Sequence, residues 1–117
     1  MAKDNRIKSY YERVSVYFTE IEENKRSIVE SLLQNYAFMS VALQDLQKKI
    51  MEEGMTEGYQ NGEHQHGIKQ SASMQAYNSM IKNYTLVIKQ MIQFLPEGVR
   101  SGGKLEAFIE QVNSSKN

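Results

Sequence analysis

His64 and His66, flanked by Glu57 and Glu63, are the residues whose types and spacing first invite chemistry. Imidazoles and carboxylates bind zinc, but a zinc site needs three or four donors converging tetrahedrally. The stretch EGYQNGEHQHGIKQS, residues 57–71, offers two imidazoles in a glycine-rich loop, and the chain holds no cysteine. Two surface histidines and no bound metal are therefore expected. Covalent chemistry is no better served. There is no Gly-x-x-x-x-Gly-Lys phosphate loop, no cysteine nucleophile and no carboxylate cluster with metal spacing. The expectation is a protein that is not an enzyme, with no catalytic residue and no cofactor.

The remaining chemistry is charge. Fourteen basic residues balance 14 acidic ones, so no net field draws in nucleic acid or a membrane surface. The distribution is uneven, however. Lys3, Arg6, Lys8 and Arg13 outnumber Asp4 and Glu12 at the start. Lys69, Lys82, Lys89, Arg100 and Lys104 face only Glu97 between Ile68 and Leu105. Acids gather in EIEE and around Glu52, Glu53, Glu57 and Glu63. Basic side chains neutralise phosphates and release counterions, and an oligomer multiplies a modest patch. Lys3, Arg6, Lys8 and Arg13 are the first candidates for contacting duplex DNA; Lys69, Lys82 and Lys89 are the second. Against this stands the ordinary reading of helical charge as a solvated face. Lys82 and Lys89, seven residues apart, share one such face.

The elements that must carry these residues follow from apolar spacing. The chain of 117 residues is one small domain. Apolar residues recur at Ile7, Tyr10, Val14, Tyr17 and Ile21, then at Ile28, Leu32, Tyr36, Met39, Leu43, Leu46 and Ile50. Steps of three and four place each set on one helical face. The lapse at EENKRS marks a break between two helices or a stutter in one; a break is preferred, with helices over 4–21 and 25–53. Thr19 with Glu22 and Ser27 with Glu30 both fit the capping box. Lys48 and Lys49 suit the dipole at the end of the second helix, and Gly54 can take a left-handed stop. Met74, Tyr77, Ile81, Tyr84, Ile88, Met91 and Leu95 predict a third helix, capped by Ser71 or Ser73 and stopped by Pro96. KLEAFIEQV suggests a short helix in a C-terminal segment, 98–117, that is otherwise flexible.

Two heptad-like seams joined by a loop over 54–70 predict an all-α fold built on an antiparallel helical hairpin, residues 24–97, with an N-terminal helix within 1–23. Leu32, Tyr36, Met39, Leu43, Leu46, Tyr77, Ile81, Tyr84 and Ile88 should be its most buried residues. Val29, Leu33, Val41, Met80, Val87 and Ile92 lie off the seams and still need cover. The first helix and neighbouring copies of the chain are the sources, so a homo-oligomer is expected. Within the loop, Asn61-Gly62 is the preferred pair for a type I′ turn, with GYQ and EHQ as a stub of ribbon on either side. Tyr59 is the one tyrosine placed for a partner contact.

A long helix ending in glycine, then YQNGEHQHGIKQS, then a tyrosine-containing helix closing on QFLPE, resembles the small subunits of phage DNA-packaging terminases. The matching positions are Gly54, Tyr59, Asn61, Gly62, Gln65, Gly67 and Lys69, followed by the helix through Tyr77 and Lys82; the resemblance covers about residues 25–97. It implies a non-catalytic oligomer, commonly a ring, that binds double-stranded viral DNA. It also implies delivery of that DNA to a large ATPase and nuclease subunit inside the bacterial host cell, from a phage or prophage. The residues implied at the partner loop are Tyr59, Asn61, Gly62, Gln65 and Gly67. The alternatives are a structural coiled-coil assembly or scaffold protein and a helical DNA-binding regulator unconnected with packaging. No run of apolar residues is long enough to cross a bilayer, and the first residues lack the apolar block of a signal peptide. A soluble, cytoplasmic protein with no membrane partner is the expectation.

Overall fold

The structure is a computed structural model that describes residues 4–60, 62 and 66–113. It is mainly helical with one small antiparallel sheet. Helix α1 is Asn5–Ser15, and α2 is Arg26–Glu53. Strands β1, Thr56–Gln60, and β2, His66–Gln70, form the sheet. Helix α3 is Ala72–Gln93, α4 is a single turn, Glu97–Arg100, and α5 is Lys104–Asn113. Helices α2 and α3 make the antiparallel hairpin, and the chain measures 63 × 27 × 27 Å.

Local chemistry sets most boundaries. Asp4 caps α1, its Oδ1 accepting the Arg6 amide at 2.9 Å. The regular α-helix stops at Ser15, short of the expected 21, and continues as a tighter 3₁₀ turn over Val16–Phe18. That turn sets Tyr17 and Phe18 edge-on to Phe108, with centroids 5.4 and 5.7 Å away. The break before α2 is real, and a second 3₁₀ turn, Glu23–Lys25, leads in. Neither capping box forms: Lys25 precedes α2 without a side-chain cap, and Ser27 lies inside the first turn. Arg26 instead pairs with Glu23 at 3.1 Å. At the far end Gly54 takes φ 94° and ψ 166°, a glycine conformation outside the left-handed helical region, while its amide still bonds Ile50 O at 2.7 Å. Because α2 runs on to Glu53, its last turn carries no basic residue, and Lys48 and Lys49 lie a turn earlier. Ser71 is the cap of α3, accepting the Met74 amide at 3.1 Å.

The core lies where α1, α2 and α5 meet, which shifts it from the expected seam. Tyr10, Val14 and Phe18 pack with Val29, Leu33, Ala37 and Val41, closed by Phe108 and Val112. The first helix thus covers the off-seam residues of α2. Leu32, Tyr36 and Leu43 are buried as expected. Met39, Leu46, Tyr77, Ile81, Tyr84 and Ile88 are only half-buried, because α3 has α2 beside it and no second helix along its outer half. In the C-terminal segment the short helix expected at KLEAFIEQV forms as α5 and is docked, with Phe108 0% and Val112 4% exposed. Phe108→Ala should therefore cost about 3–5 kcal/mol of stability, the usual range for a buried aromatic. Urea unfolding of the variant against wild type checks it, and a change near zero would mean α5 is not part of the core.

Candidate nucleic-acid interface

Three of the four N-terminal cations can be placed; Lys3 lies outside the described residues. Arg6 forks onto both oxygens of Asp45, with Nη1 donating at 2.8 Å and Nη2 at 3.0 Å. The same guanidinium reaches back to Asp4, Nε donating to Oδ1 at 3.2 Å and Nη2 to Oδ2 at 2.9 Å. A planar fork matched to carboxylates ties residues 39 apart in the sequence, α1 to α2. Hydrogen bonds from Arg6 lower the pKa of Asp4 and of Asp45, and the bonds to Asp45 and then Asp4 raise that of Arg6. Two carboxylates around one guanidinium leave no positive surplus there. Arg13 is also engaged within the chain. Its guanidinium lies 4.4 Å from the Tyr10 ring centroid, and its Nε donates to Ser9 O at 3.4 Å. Lys8 is exposed and only loosely placed, 3.9 Å from Glu12.

A second tie fastens α1 to α2 farther along both helices. The Tyr11 hydroxyl donates to Glu30, with 2.8 and 2.7 Å to its two oxygens. That bond to Glu30, with some burial, pushes the Tyr11 pKa up to about 12. The first candidate patch is therefore largely the fastening of α1.

The second patch divides differently. Lys69 faces Glu57 across the sheet at 3.8 Å. Lys82 and Lys89 are exposed on α3 and have no ion pair among the described residues. Two turns separate them, about 10 Å along the axis. They are the only charged residues in the 22 of α3.

The sheet projects from the end of the hairpin with nearly every residue exposed. Its register pairs Tyr59 with Gly67 and Gln60 with His66. Residues 61–65 therefore connect the strands, in place of a two-residue turn on Asn61-Gly62, and β2 is HGIKQ where EHQ was expected. Gly62 does hold φ 83°. Asn61, His64 and Gln65 lie outside the described residues. Across the strands the Tyr59 ring lies over Gly67, so close that a Cβ there would stand 2.5 Å from the Tyr59 hydroxyl oxygen. A side chain at 67 would have to push the Tyr59 ring aside, so glycine there lets the aromatic cover the strand, a pairing the sequence shows only once the register is known. Ile68, paired with Gly58, is 76% exposed, and Met55 at the base of the sheet is 62% exposed.

Among the described residues no group of three or more His, Cys, Asp or Glu is arranged to hold a metal ion. No helix among them is long and apolar enough to cross a membrane. Comparison of the chain with family models, with curated proteins and with solved structures finds no match.

Two outcomes test this geometry. Asp4 and Asp45 have lowered pKa values in the fold, so their ties to Arg6 stabilise above the usual carboxylate range and are lost as pH falls through the lowered values. Protection of the α1 amides, taken relative to the intrinsic exchange rate at each pH, should fall on acidification below about pH 4, the ordinary carboxylate range, and Asp45→Asn should flatten that dependence. In the sheet, ring current from Tyr59 should shift a Gly67 Hα resonance upfield. Tyr59→Ala should return it to an ordinary position, and an unshifted wild-type signal would contradict the stacked geometry.

Proposed function

We propose that this chain is a non-catalytic, oligomeric DNA-recognition component of the kind found in small terminase subunits, handing double-stranded viral DNA to a large packaging subunit. The observation that carries the proposal is the exposed Lys82–Lys89 pair on a helix otherwise free of charge. Oligomerisation would repeat that pair, turning a weak contact in each subunit into an avid one. The order of elements supports the same reading: a long helix with a glycine stop, a projecting sheet carrying Tyr59 and Gly67, and a helix closed by Pro96. Lys8 adds to the contact surface. Arg6 and Arg13 serve the attachment and packing of α1 in this reading. The projecting sheet, with Tyr59, Met55 and Ile68 exposed, supplies a surface apart from the lysines for the large subunit.

Phosphate contacts position a protein without reading bases. Lys82→Ala with Lys89→Ala should therefore weaken duplex binding about equally on unrelated sequences and reduce the salt slope by about one per contact. Gel shifts from low to physiological salt measure both. Wild-type protein that fails to bind at low salt would remove the DNA role and leave a structural assembly protein. Unchanged binding by the double variant would place the contact elsewhere.

A further inference from the structure

Helix α3 carries more on its outer side than two lysines. Tyr84 and Ile88 pack on the core and Met91 is fully buried, so that side of the helix faces inward. Ser79, Asn83, Leu86 and Gln90 step four, three and four, which lines them up on one helical face. At 3.6 residues per turn this row is turned roughly 140° from the inward side. All four side chains are exposed, Leu86 by 55%. Lys82 and Lys89 directly precede Asn83 and Gln90 in the sequence, and they stand at one margin of the row, roughly 80° from its centre.

The side chains of the row are free to meet a ligand. Gln75 donates to Gln70 O at 2.9 Å and Thr85 to Ile81 O at 2.9 Å, whereas the amides of Asn83 and Gln90 make no hydrogen bond among the described residues. No acidic residue occurs between Ser71 and Pro96, so nothing on this helix repels a polyanion, and both of its charges are positive. A helix about 10–12 Å across fits the major groove of B-DNA, about 12 Å wide. Carboxamides of Asn and Gln match N6 and N7 of adenine with two hydrogen bonds, and an apolar side chain suits the methyl group of thymine. Phosphates flank the groove, and lysines at the margin of an inserted face are placed to meet them.

We propose that α3 enters the major groove of duplex DNA, where Asn83, Leu86 and Gln90 read bases while Lys82 and Lys89 hold the adjoining phosphates. The spacing fixes the kind of site. Asn83 and Gln90 are seven residues apart, roughly 10.5 Å along the axis, which matches about three base steps at about 3.4 Å each. Leu86 falls between them. The site is thus a pair of adenines about three base pairs apart, with a thymine methyl group between them. This inference rests on the DNA part of the functional reading and adds to it a sequence preference, which the lysines alone do not supply.

Selection by the wild-type protein from a pool of random-sequence duplexes tests it. The bound fraction should be enriched in that pattern. A selected duplex should bind about tenfold more tightly than a scrambled one, the scale of one good bidentate pair. Asn83→Ala and Gln90→Ala should each lose the preference at one adenine, yet keep wild-type binding to the scrambled duplex and its salt slope. A role in phosphate contact or in folding would not separate the two. Circular dichroism of both variants should match wild type, since the positions are exposed. Uracil in place of the central thymine should weaken wild-type binding and leave Leu86→Ala unaffected. Adenine analogues lacking N7 should weaken wild-type binding too; both replacements alter only the DNA and so test the contacts in the native protein. Duplexes bound without any enriched pattern would overturn the inference and leave the DNA role standing. Wild-type protein that fails to bind at low salt would remove both. A preference that both amide variants retain also overturns it.

Discussion

Tyr36 is the residue on which the helices converge. Its ring is fully buried, stacked on Tyr84 of α3 at 5.8 Å and meeting Tyr10 of α1 edge-on at 6.2 Å. Its hydroxyl donates to the Val112 carbonyl of α5 at 3.2 Å. Burial raises its pKa, so the phenol stays neutral and remains a donor. An aromatic body with one polar tip can satisfy both an apolar junction and a helix C-terminus whose last carbonyls lack partners. Ser40, one turn on, bonds the Tyr36 carbonyl at 2.8 Å and lies 3.3 Å from the Tyr84 hydroxyl, which extends the same junction towards α3. The helices diverge in their dependence on it: α1 has the further ties of Arg6 and Tyr11, whereas α5 is held by Phe108, Val112 and this hydrogen bond.

How much of this was legible follows from range. The hairpin, the break near residue 22, the Ser71 start and the Pro96 stop rest on contacts within a few residues, and periodicity or capping chemistry reveals them. The place of the core does not, because it depends on which flank of α2 the first and last helices choose. Val29, Leu33 and Val41 could be seen to need cover, but nothing in their spacing names Phe108 as part of it. The sheet register was missed for a different reason. Asn-Gly is the strongest local hairpin signal, yet the register that forms sets Tyr59 over Gly67 and Glu57 against Lys69. Cross-strand pairing outweighed the two-residue turn.

The basic residues show where charge counting misleads. Arg6 and Arg13 belong to a positive run in the sequence, and both are engaged by neighbours in space. Asp45, which neutralises Arg6, sits 39 residues away and cannot be anticipated from local composition. Arginine at a site with a carboxylate fork or an aromatic face is prone to such use, since its planar group suits both. The lysines of α3 have neither kind of neighbour described and remain exposed.

The hairpin therefore sorts its surfaces by flank. One flank of α2 holds α1 and α5; the other is open, with Ile28 exposed and Met39 and Leu46 half-buried along a stripe that Met80 and Val87 continue on α3. Lys82 and Lys89 each stand two residues from a stripe position, Met80 and Val87, and two residues turn a helix by roughly 200°. Their ammonium groups accordingly project away from the open flank.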